Sequence, residues 1–68
     1  MPPAKARPMT ARQFESRLET AGMSQRQFAL WLGFAVNSVN RWARGHREIP
    51  RYVAVLADLI AKYPQIRP

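Results

Sequence analysis

With 68 residues the chain has room for one domain and a small core, and an apolar share of 47% argues against a wholly disordered polymer. Eleven Lys and Arg against four Asp and Glu leave a net charge of +7, and the absence of cysteine excludes disulfides and thiolate metal sites. A single histidine cannot assemble a zinc site, and no apolar run approaches the roughly 20 residues that span a bilayer.

Nine of the eleven cations are arginine, the others being Lys5 and Lys62. A guanidinium presents a planar fork of donors that matches phosphate oxygens and guanine edges, so this bias points to nucleic acid. A basic chain that is merely soluble is the competing reading of the same bulk charge.

Residues 1–9 carry three of the six prolines and no helical period, and read as a flexible basic arm. The start has charge but no apolar stretch behind it, unlike a secretion signal, so a cytoplasmic protein is expected. Two phrases then echo each other, "MTARQF" from Met9 and "MSQRQF" from Met23. Each offers a hydroxyl at an N-cap, Thr10 or Ser24, and a glutamine three residues later, Gln13 or Gln27, which is a capping box. Each also sets a methionine before the cap against a phenylalanine at the fourth helical position, the pairing of a hydrophobic staple. The first helix keeps Phe14, Leu18 and Ala21 on one stripe and stops at Gly22. The second, over about Gln25 to Leu32, turns Phe28, Ala29 and Leu32 inward and ends at Gly33. The pattern resumes at Val36, giving two helices joined by a tight glycine-containing turn.

On the third helix, with Asn37 set at zero, Arg41 falls near 40°, Arg44 near 340° and Asn40 near 300° at about 100° per residue. Val39 and Trp42 fall near 200° and 140° by the same spacing, so one face is Asn and Arg while the other is apolar. Trp42 is therefore expected in the core, whereas Trp31 lies off the Phe28/Leu32 line and is left between packing and an interface. After Gly45 comes the basic loop "HREIPR", with Pro50 suited to the first position of a fourth helix. That helix carries Tyr52, Val53, Val55, Leu56, Leu59, Ile60 and Tyr63 over an arc of about 160° and stops before Pro64. So wide an arc exceeds what one small core needs, and part of it is a candidate subunit interface. Residues 10–63 form the expected all-α domain and 64–68 a short tail.

The stretch "SQRQFALWLGFAVNSVNRWARG", Ser24 to Gly45, resembles the helix-turn-helix of the phage-repressor-like (Cro/C1, XRE-type) DNA-binding group. Gln25 stands at the start of the first motif helix, Ala29 where the helices cross and Gly33 in the turn. Phe28, Leu32, Phe34, Val39 and Trp42 stand where that pattern is apolar. The resemblance implies a small lambda-repressor-like domain of four helices, or of the five common in the group, with its second motif helix in the major groove. It also implies base contacts from Val36, Asn37, Asn40 and Arg41, and backbone contacts from Gln25, Arg26, Arg44, His46, Arg47 and Arg51. Lys5 and Arg7 are candidates for an arm in the minor groove. The chain departs from the group at Ala35, where Ser or Thr is the usual cap.

The function implied is a sequence-specific regulator. It would act as a dimeric repressor on an inverted-repeat operator, acting on its own promoter in one version, of the kind found in phages and mobile elements and beside anti-CRISPR genes. No cofactor, metal, membrane or small-molecule ligand is expected, and no nucleophile, base and orienting group assemble an enzyme site. Two other readings stand beside it. One is an antitoxin-like module whose main partner is a protein toxin; the other is a non-specific coat that binds nucleic acid through charge alone.

Overall fold

The structure, a computed structural model, describes residues 8–66. Four α-helices account for most of them: α1 (Ala11–Ala21), α2 (Gln25–Leu32), α3 (Val36–Arg44) and α4 (Arg51–Lys62), with no strand among the described residues. A single 3₁₀ turn, Pro64–Ile66, follows within the expected tail, and no fifth α-helix is found among the described residues. No helix among the described residues is long and apolar enough to cross a membrane.

Both capping boxes form. The Thr10 hydroxyl accepts from the Gln13 amide at 3.1 Å while Gln13 Oε1 accepts from the Thr10 amide at 3.0 Å. Ser24 and Gln27 repeat the exchange at 3.0 and 2.9 Å. Each box satisfies two amides that would otherwise lack an intrahelical partner. Met9 is half-buried and Met23 buried against the core, as the staples require. The structure therefore ties Met9 to the domain, although its composition groups it with the arm.

The start of α4 shifts by one residue from the sequence expectation. Pro50 is the N-cap rather than the first helical residue, with φ −59° and an extended ψ of 150°. Its ring satisfies the helical φ, but its ψ lies outside the helix, and its carbonyl accepts from the Val53 and Ala54 amides at 3.0 and 3.1 Å.

A single core collects side chains from every helix, with Phe14, Phe28, Val39, Val53 and Ile60 its largest fully buried members. Aromatic rings form its axis. Phe14 meets Phe28 edge-on at a centroid distance of 5.4 Å and Trp42 at 6.3 Å. Phe34, in the turn between α2 and α3, meets Trp42 edge-on at 5.4 Å and lies 6.0 Å from Phe28. Such edge-to-face pairs each contribute about 0.5–1.5 kcal/mol beyond their burial. α1 packs against both α3 and α4, α2 packs against α3, and the Arg17 Nε–Asp58 Oδ1 ion pair at 2.7 Å joins α1 to α4.

Three inward assignments differ in degree. Phe28 and Ala29 are fully buried, but Leu32 is half-buried at the end of α2. Trp31 is also half-buried and packs against the core. Ile49, inside the charged loop before α4, is buried and pins that loop to the domain.

Candidate nucleic-acid interface

The presentation of α3 begins with Gly33. Its φ of +80° is left-handed, a conformation that costs an L side chain about 1–2 kcal/mol, so glycine turns the chain here without strain. The Phe34 amide donates to the Ala29 carbonyl at 2.9 Å, and only Gly33, Phe34 and Ala35 separate α2 from α3. Phe34 then drops into the aromatic cluster, which fixes how α3 leaves the turn.

Burial around α3 follows the helical period. Val39, Trp42 and Ala43 are buried; Val36, Ser38 and Asn40 are half-buried; Asn37, Arg41 and Arg44 are exposed. Trp42 takes the core place expected of it. The Asn/Arg face is thus what remains of the helix after Val39, Trp42 and Ala43 have been claimed by α1 and α2. Val36 stands at the border and packs partly against the core, which leaves only part of its side chain for an outside contact.

No side chain caps α3: Ala35 has the extended backbone of an N-cap, φ −70° and ψ 134°, but no oxygen to offer. Its carbonyl accepts from the Ser38 and Val39 amides at 3.0 and 3.2 Å. At the other end, the Gly45 amide donates to the Arg41 and Trp42 carbonyls, and the His46 amide closes back on Arg41 at 2.9 Å. Arg41 and Arg44 occupy the last turn, where a cation is favoured by the helix dipole.

Of the remaining assigned residues, Gln25 is the first residue of α2 and half-buried, whereas Arg26 is exposed beside it. His46, Arg47 and Arg51 are exposed around the loop that Ile49 anchors. Lys5 and Arg7 lie outside the described residues.

Electrostatics single out one part of the chain. From Ser24 to Arg47 there is no Asp or Glu, while Arg26, Arg41, Arg44 and Arg47 all fall within that span. The signal for this segment is the local distribution of charge along the chain, which the bulk total of +7 conceals. Among the described residues the one ion pair is Arg17–Asp58, so none of those four arginines is neutralised within the domain. α3 has nine residues and is therefore about 13 Å long and about 10–12 Å across, the scale of a major groove about 12 Å wide.

Compared with family models, curated proteins and solved structures, the chain finds no match.

Proposed function

We propose that this protein is a sequence-specific DNA-binding regulator that inserts α3 into the major groove and represses transcription as a dimer on an inverted-repeat operator. The observation that carries the proposal is the division of α3. Asn37, Arg41 and Arg44 are exposed on one side, opposite buried Val39 and Trp42, in a segment without a carboxylate. Asparagine makes paired bonds to adenine and arginine to guanine, so Asn37, Asn40 and Arg41 are assigned to base edges. Val36 is assigned to a thymine methyl. Gln25, Arg26, Arg44, His46, Arg47 and Arg51 are assigned to the phosphate backbone, whose contacts set register and affinity.

In this reading the concentration of the protein itself sets operator occupancy. That suits a repressor of its own promoter, including those of phages, mobile elements and anti-CRISPR loci.

Selection of bound sequences from random duplex DNA by the purified protein tests this reading. The expected product is a two-fold symmetric motif with half-sites about one helical turn, roughly 34 Å, apart. Recovery of duplexes with no enriched sequence would reduce the protein to a charge-driven coat. Failure to bind DNA without a co-purifying protein would favour the antitoxin-like reading instead.

A further inference from the structure

The structure divides the apolar arc of α4 in two. Val53, Ala57 and Ile60 are buried against the domain, but Tyr52, Val55, Leu59 and Tyr63 remain 60, 48, 41 and 47% exposed. At about 100° per residue those four fall within roughly 80° of one another, so they form one outward stripe along the helix. Half-buried Leu56 borders the stripe, and exposed Ile66 follows it in the 3₁₀ turn. The charged residues of α4, Arg51, Asp58 and Lys62, lie together along the Val55 edge of the stripe by the same spacing, opposite its Leu56 edge. Leu30 is the one other large apolar side chain exposed among the described residues, and it stands alone on α2.

We infer that this stripe is the seam for a second copy of the same chain, packed antiparallel along α4, and that the dimer is completed on DNA rather than before it. Two observations select a second copy. First, the outward side of α4 pairs with itself in part when read in both directions, although Val55 falls opposite buried Ile60. About a centre between Ala57 and Asp58, Tyr52 exchanges with Tyr63 and Leu56 with Leu59, so a two-fold axis sets rings against rings and leucines against leucines. Isologous pairing requires that kind of self-complementarity. A shallow apolar depression bounded by Arg51, Tyr52, Val55 and Leu56 lies at the end where Tyr63 of the second copy would arrive.

Second, the area fits a weak partner. α4 has 12 residues and is therefore about 18 Å long and about 10–12 Å wide, so one helix face supplies only part of the roughly 800 Å² per partner of a stable complex. The free protein then stays largely monomeric at low concentration. Two copies on neighbouring half-sites meet at an effective concentration in the millimolar range, which closes the seam. The domain measures 32 × 27 × 19 Å, so two copies side by side are of the same order as one helical turn of DNA. Tyr52 joins the seam to the reading helix, because its ring lies 6.1 Å from Phe34 and Phe34 packs on Trp42.

The operator part of this inference rests on the DNA-binding reading; the seam does not, and the two are tested separately. Without DNA, single-cysteine variants Leu56→Cys and Leu59→Cys are mixed at high concentration and oxidised, the natural chain having no cysteine. Cross-linking of the unlike pair in preference to Tyr52→Cys with itself is expected. Preferential like-with-like linking, or none, overturns the antiparallel seam. With DNA, the full chain and Leu59→Lys are titrated onto one half-site and onto two. Leu59→Lys is expected to bind one half-site as the parent does and to lose a cooperativity of about 5- to 150-fold on two. A thermal melt verifies that the variant folds, and Val55→Lys repeats the test from a second position. Unchanged cooperativity in both variants overturns the inference. Absence of DNA binding by a parent chain that still cross-links Leu56→Cys to Leu59→Cys overturns the DNA-binding reading and leaves the seam standing.

Discussion

Arg41 and Arg47 are both exposed cations without an ion-pair partner among the described residues, yet they predict different losses. Arg41 stands on the Asn/Arg face of α3, where its guanidinium fork can meet a guanine edge. Arg41→Ala should cost about 1–3 kcal/mol and relax preference at one base pair, as read by competition among single-base variants of the selected site. An unaltered preference would place the reading face elsewhere. Arg47 projects from the loop anchored by Ile49 and is assigned to phosphate. Arg47→Ala should weaken all duplexes alike and lower the slope of log affinity against log salt by roughly one. Titration at several salt concentrations separates the two roles, because a base contact changes the ranking of sequences while a phosphate contact changes the salt response.

The elements differ in how completely their ends are finished. α1 and α2 each have a full capping box, but the N-cap of α3 is Ala35, with the right backbone and no side-chain acceptor. Ala35→Ser should therefore stabilise the domain by about 1 kcal/mol in urea unfolding. No gain would mean that the hydroxyl cannot reach the α3 amides. The turn before it responds in the opposite sense. A Cβ on Gly33 would meet nothing within 4 Å, so the cost of Gly33→Ala is the left-handed backbone alone, about 1–2 kcal/mol. A larger loss, measured in the same way, would show that the turn itself rearranges and redirects α3.

One core serves the entire described molecule, and Phe14 is its hub, touching Phe28 of α2 and Trp42 of α3 from α1. Phe14→Ala should cost about 3–5 kcal/mol, a large share of the 5–15 kcal/mol that holds a typical domain together. A broad, non-cooperative melt is the expected result, and a sharp transition near the parental temperature would show that the rings can repack. The Arg17–Asp58 pair between α1 and α4 matters much less. Its side chains are 37 and 55% exposed, and water screens such a pair to about 0–1 kcal/mol. Packing holds α1 and α4 together, and the ion pair trims their register.

Local chemistry determined much of this protein. Thr10, Gln13, Ser24 and Gln27 set two helix starts because a capping box closes within four residues, and Gly22, Gly33 and Gly45 set three stops because only glycine takes a left-handed φ freely. The two faces of α3 were equally legible, since Val39 and Trp42 repeat with the period of a helix. What the sequence left open depends on neighbours distant in the chain. Ile49 looks like one apolar residue in a charged loop until the core provides a place for it. Pro50 could begin a helix or precede one, and its extended ψ decides the matter. Leu32 and Trp31 are half-buried because α2 ends at the rim of the core. On α4, Val53 and Val55 are alike as residues, but one is buried and the other exposed. Periodicity marks which positions share a face; only packing against α1 decides which face turns inward and which stays exposed.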